Sequence, residues 1–121
     1  MSDTKVIGNI GEDAVVRYLE DRGFEILVRN FTVHNAGELD VVAVRGNEVY
    51  VVEVKTRAGQ NLRAYGAPEA FITKSKVMKI RKTIRFLVAK YRLYDKNIVL
   101  AAGAVVHDGK GEIISVEVVE I

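Results

Sequence analysis

The 121-residue sequence predicts a mixed α/β fold in the order αβββαββ, an α+β mixed sheet with helices packed on it. Three observations carry this. Two stretches, one from residue 4 and one from residue 73, place apolar residues at helical spacing. Two valine-rich runs, residues 39–45 and 48–56, are separated only by Gly46 and Asn47, a pair suited to a tight β-hairpin. Residues 97–106 are an unbroken apolar run between polar flanks, the pattern of a central strand. At this length a single domain, residues 1–121, can bury a core without staples.

The first helix is read over residues 4–22. Ile7, Ile10, Ala14 and Tyr18, with Val15 and Leu19 beside them, form its apolar stripe. Asp3 or Thr4 can cap its start, and Gly23 is placed to end it. Residues 24–33 read as a first strand, and the hairpin supplies the second and third. Residues 58–72 hold Gly59, Gly66 and the only proline, Pro68, and read as a loop. Thr73 reads as the N-cap of the second helix. Ile72 and Val77 have the spacing of an apolar pair that clamps a helix start. Val77, Ile80, Ile84, Leu87, Val88 and Tyr91 form that helix's buried face. After residues 97–106, a turn over residues 107–111 leads to a last strand over 112–120.

Charged residues make up 28% of the chain and the net charge is only +2, but its distribution is uneven. Residues 74–92 carry eight Lys or Arg and no acid; the rest of the chain carries ten basic and sixteen acidic side chains. That asymmetry predicts a localised surface for a polyanion. Lys74, Arg81, Arg85 and Arg92 fall along one strip of the helix. The chain has no cysteine, which excludes disulfides and thiolate metal sites and fits a reducing compartment. No apolar stretch has signal-peptide or membrane-span character, so a cytoplasmic protein without membrane contact is expected.

The hairpin carries the chemistry. With Gly46 and Asn47 as the turn, Arg45 pairs with Glu48 and all cross-strand pairs sum to 93. Asp40 then faces Glu53, and Glu38 faces Lys55. Alternation puts Asp40, Val42 and Val44 on one face of the second strand, with Leu39, Val41 and Ala43 on the other. Glu53, Lys55 and Arg57 share a face of the third. Like charges across a ladder are destabilising unless something positive lies between them. A plain salt-bridge cluster is one answer, with Lys55 neutralising a carboxylate and Glu38 and Arg57 balancing the rest. The other is a divalent metal site. Mg²⁺ or Mn²⁺ takes hard oxygen ligands from Asp40 and Glu53, with the Val54 backbone carbonyl as an extra one, and Lys55 stands beside it as a fixed charge. Such a site suits attack by water on a phosphodiester.

Glu12 borders the apolar stripe of the first helix, beside Gly8 and Leu19, and Gly8 and Gly11 remove side-chain bulk around it. Each glycine lowers helix propensity by ~1 kcal/mol, which makes sense if a backbone or ligand comes close. A solvated helical glutamate with glycines for close packing explains the same residues equally well. Arg57, Arg63 and Tyr65, after the acidic trio, and Lys74, Arg81 and Arg85 on the second helix are candidate nucleic-acid contacts. His34 and His107 are single histidines read on loops, with no catalytic role.

Together these residues resemble the PD-(D/E)xK nuclease superfamily, with the restriction-endonuclease-like fold: an αβββαβ core, here with an additional C-terminal strand. Glu12, Asp40, Glu53 and Lys55 match its pattern, except that Leu39 stands where the leading proline would be. The closer resemblance is to the YraN-like family, small bacterial proteins similar to archaeal Holliday-junction resolvases. Its pattern is visible in Gly8-x-x-Gly11-Glu12, Tyr18-Leu19, Gly23-Phe24, Arg29-Asn30-Phe31, Gly37-Glu38-Leu39-Asp40, the run from Val52 to Arg57, Tyr65-Gly66 and Lys74. The chain departs from it at Asp95-Lys96-Asn97-Ile98, where an Arg-x-Asp segment is common. The resemblance implies a metal-dependent nuclease that cuts DNA, including branched or structured DNA, using Glu12 as an additional metal-site acid. A nucleic-acid-binding module that keeps the fold without cutting is the alternative. Junction cutting would favour a symmetric homodimer, since two strands are cut.

Overall fold

The computed structural model describes residues 3–59 and 67–121. Its elements are α1 (Asp3–Asp21), β1 (Glu25–Val33), β2 (Gly37–Arg45), β3 (Glu48–Ala58), a 3-10 turn (Pro68–Phe71), α2 (Lys74–Tyr91), β4 (Asn97–His107) and β5 (Ile113–Glu120). The strands form one five-stranded sheet in the order β1-β2-β3-β4-β5. Only β3 and β4 are parallel, joined through α2; the other neighbours are antiparallel. This is the mixed α/β fold the sequence predicts. Arg63, Tyr65 and Gly66 lie outside the described residues. No helix among the described residues is long and apolar enough to cross a membrane.

The ends of the helices follow local chemistry. Gly23 adopts φ +86°, and Gly23 N–H and Phe24 N–H donate to Glu20 O and Leu19 O, which closes α1. Phe24 and Leu19 are both buried in the same apolar cluster, the hydrophobic contact that accompanies this cap. Thr73 caps α2, its side chain accepting from Lys76 N–H at 3.2 Å. Ile72 and Val77 pack in one cluster, as the clamp spacing predicts.

The sheet separates two cores. On one side, Val15 and Leu19 of α1 pack on Phe24, Val41, Ala43, Val52, Ala101 and Val105. On the other, Ile80 and Leu87 of α2 pack on Phe31, Val42, Val49 and Val51. Leu39 corrects the simple alternation. It belongs to the α2 cluster, whereas Val41 and Ala43 belong to the α1 cluster. The cause lies in the neighbouring strand. Phe31 pairs with Leu39 and Arg29 with Val41, and between them Asn30 has φ +53°. A left-handed residue inside a strand breaks the two-residue repeat, so both strands change sides there. His107 is a second correction: it ends β4, is buried, and its Nδ1 accepts from Gly109 N–H at 3.0 Å.

Candidate active site

The hairpin register is the one the Gly46-Asn47 turn predicts. Gly46 takes φ +58°, and β2 pairs with β3 from Arg45↔Glu48 to Val41↔Val52. The ladder stops there, one step before Asp40 and Glu53. Beyond that point each strand keeps only its outer neighbour: β2 stays paired with β1 to Gly37, and β3 with β4 to Ala58. The sheet therefore forks at the two acids.

Side chains replace the missing ladder. Asp40 N–H donates to Glu53 Oε2 at 3.3 Å, and Val54 N–H donates to Asp40 Oδ2 at 2.8 Å. Each acid is thus held by the other's strand, leaving Asp40 Oδ1 and Glu53 Oε1 as atoms for a ligand. An extended residue turns its N–H and C=O to the same neighbour. The Val54 carbonyl accordingly lies on the fork side.

Both carboxyls are pushed up from their ordinary values, Asp40 to about 6 and Glu53 to about 7. Burial is the main cause in each case. Asp40 further raises Glu53, Glu12 raises Asp40, and Glu38 raises both, while the backbone hydrogen bonds and Lys76 pull the other way. The fork is reached from both faces of the sheet, by Glu12 from α1 and by Lys76 from α2.

Glu12 is largely buried, with 14% of its side chain exposed, and its Oε1 accepts from Asn30 Nδ2 at 3.2 Å and Arg29 Nη2 at 3.4 Å. Arg29 also pairs with Asp13 at 2.8 Å. Gly11 is explained by packing: a Cβ there would overlap the Thr56 side chain on β3, whereas one at Gly8 would meet nothing within 4 Å. Among the described residues no three His, Cys, Asp or Glu side chains come together as a metal-holding group. Asp40 and Glu53 meet, and Glu12 stays beside them on Arg29 and Asn30. Lys55 is half-buried on β3, next to Ala104 of β4, and makes no ion pair with either acid among the described residues. Glu38 is exposed and accepts from Thr32 Oγ1 at 2.9 Å.

Two residues at the site, Lys76 and Asn30, are not among the site candidates the sequence points to. Lys76 is the cation that acts on both acids; its signal was the Thr73 cap, which puts it in the first turn of α2. Asn30 sits opposite Asp40 and holds Glu12; its signal was an asparagine inside a strand, a residue that tolerates the left-handed region. Lys74, Arg81 and Arg85 are exposed on α2, and Arg57 is exposed at the end of β3. The segment at residues 95–98 fastens the hairpin tip: Asn97 N–H donates to Asn47 O at 2.9 Å and Lys96 Nζ to Gly46 O at 3.3 Å.

A mixed sheet between two helices, with paired acids at the open end of its central hairpin, is the αβ core of restriction-endonuclease-like proteins. The sequence comparison agrees. The family described as "Uncharacterised protein family UPF0102" matches residues 11–118, and the chain belongs to it: this is the YraN family of the restriction-endonuclease-like superfamily. Relatives described as "UPF0102 protein" include one from Dictyoglomus turgidum, 36% identical over 115 residues, covering 95% of this chain and 94% of the relative. One from Clostridium botulinum is 38% identical over 92 residues, covering 76% and 72%. One from Geobacter metallireducens is 40% identical over 91 residues, covering 75% and 71%.

Proposed function

We propose that the protein is a metal-dependent nuclease that hydrolyses phosphodiester bonds in DNA, including branched or structured DNA. The observation that carries this reading is the Asp40–Glu53 pair, two partly buried carboxylates held side by side where the β2–β3 ladder ends. Two such acids without a neutralising ion pair favour a cation between them, and Mg²⁺ is commonly held by one or two carboxylates while keeping several waters. Asp40 and Glu53 fit that donor set, with the Val54 carbonyl as an additional oxygen and Glu12 assisting from α1. Mg²⁺ or Mn²⁺ bound there would supply Lewis-acid activation of water and phosphate. Lys55 stabilises the negative charge that develops on the phosphoryl oxygens. The basic α2, with Arg57, Arg63 and Tyr65, holds the substrate backbone.

The test is one cleavage panel over single-stranded, duplex and branched DNA and RNA, with Mg²⁺ and with Mn²⁺. Asp40→Asn and Glu53→Gln should each lower cleavage by about a hundredfold or more while the circular dichroism spectrum is retained. Full activity in both variants would sink the assignment.

A second reading is a nucleic-acid-binding module that does not cut. The Arg29–Glu12 pair favours it, because it occupies the third acid. Calorimetry with Mg²⁺ or Mn²⁺ in the presence of DNA separates the two: heat of metal binding that vanishes in Asp40→Asn supports the nuclease, and its absence in the parent protein supports the module.

A further inference from the structure

α2 carries more than phosphate contacts. Lys79, Lys82, Phe86 and Lys90 follow one another at spacings of three, four and four residues, so they share one side of the helix. Two contacts show where that side lies. Lys82 Nζ donates to Asn35 O in the β1–β2 turn at 3.3 Å, and Lys90 Nζ stands 5.8 Å from the Phe31 ring of β1. Phe86 is 50% exposed between them. Among the described residues none of the eight cations of residues 74–92 forms an ion pair. A basic surface of this density repels itself, and a polyanion matches it along its length. An aromatic ring in such a surface has a different match from the lysines around it: the face of a nucleobase. Bases inside a duplex are already stacked, so a protruding ring discriminates in favour of unpaired nucleotides.

We propose that Phe86 is a stacking platform for an unpaired nucleobase, with Lys82 and Lys90 taking the flanking phosphates, so that α2 grips a single-stranded segment of nucleic acid. This rests on the nucleic-acid part of the function proposed above and not on cleavage. It selects, among the substrates that a phosphodiesterase site could accept, those with a single-stranded arm, gap or fork.

The sequence contains no tryptophan, so Phe86→Trp makes the protein its own reporter. The protein is titrated in metal-free buffer containing EDTA with a thymidine oligonucleotide and with a blunt duplex of equal length. Quenching of the Trp emission by the single strand and not by the duplex is the expected result. Phe86→Ala and Phe86→Leu should both weaken single-strand binding by about tenfold, the effect of one stacked base, and leave duplex binding unchanged. Leu retains apolar bulk, so a loss in both variants belongs to the ring; thermal melts check that both remain folded. Equal effects on single strand and duplex, no effect on either, or an emission blind to the oligonucleotide overturns the platform and leaves the proposed function standing. Failure of the parent protein to bind any nucleic acid overturns both. A Trp emission that changes with protein concentration alone, with a dimer lost in Phe86→Ala, assigns the face to a second copy of the chain and likewise overturns the proposal.

Discussion

Asp40 and Glu53 stand opposite each other in the hairpin register, yet each binds the backbone of the other's strand: Asp40 N–H reaches Glu53, and Val54 N–H reaches Asp40. Two repelling side chains are thereby fixed next to each other by neutral donors. Their mutual repulsion is left for pH or a cation to relieve.

The first consequence is a pH dependence of stability. The ordinary values are 3.8 for Asp40 and 4.5 for Glu53; folding raises them to about 6 and about 7. The folded chain therefore binds these protons more tightly than the unfolded one. The pair's contribution is fully present below the ordinary values and is lost as pH rises through the folded ones. Metal-free protein should lose stability from this pair progressively across that window. Thermal melts from pH 4 to 8 check it: Asp40→Asn with Glu53→Gln should flatten the slope, and Mg²⁺ should restore stability at pH 8 in the parent only.

Gly8 and Gly11 should respond oppositely to alanine. Gly8→Ala enters open space and should stabilise the chain by up to ~1 kcal/mol through helix propensity. Gly11→Ala drives a methyl into Thr56 and should destabilise by about 1–3 kcal/mol. Urea denaturation measures both, and Thr56→Ala should recover part of the Gly11→Ala loss.

Asn30 has two separable duties. Its left-handed backbone lets β1 and β2 change sides, and its amide holds Glu12. Asn30→Gly keeps the first and removes the second; Asn30→Val removes both. The valine variant should be less stable than the glycine variant by about 1–3 kcal/mol in the same denaturation assay. Equal stability of the two would dissociate the change of sides from the backbone of Asn30.

The charge of α2 should appear in the salt dependence of duplex binding. Arg81→Gln with Arg85→Gln should reduce the slope of log K against log salt by about 0.9 for each phosphate contact removed. Fluorescence anisotropy from 50 to 200 mM salt measures it. An unchanged slope would place those two arginines away from the bound phosphates.

Much of this was legible in the residues. The turn at Gly46-Asn47 set the register because a two-residue connection leaves no freedom in pairing, and the proximity of Asp40 and Glu53 followed by counting. Gly23 and Thr73 marked helix ends because their roles depend on the nearest few residues. Lys55 illustrates the limit. Its place on β3 was correct, but proximity in register did not make it the partner of either acid. The cation acting on both is Lys76 of α2, 21 residues beyond Lys55 in the chain.

By itself, the sequence determined what local sterics and periodicity control: the elements, the hairpin pairing, and the buried stripe of each helix. Only the tertiary structure decided which helix covers which face, that the sheet forks at the two acids, and that Leu39 crosses to the α2 core. A pattern of apolar residues states that a face is buried without naming its partner. One left-handed asparagine changes the side on which every following residue falls, and burial can raise a carboxyl only once the whole chain has closed around it.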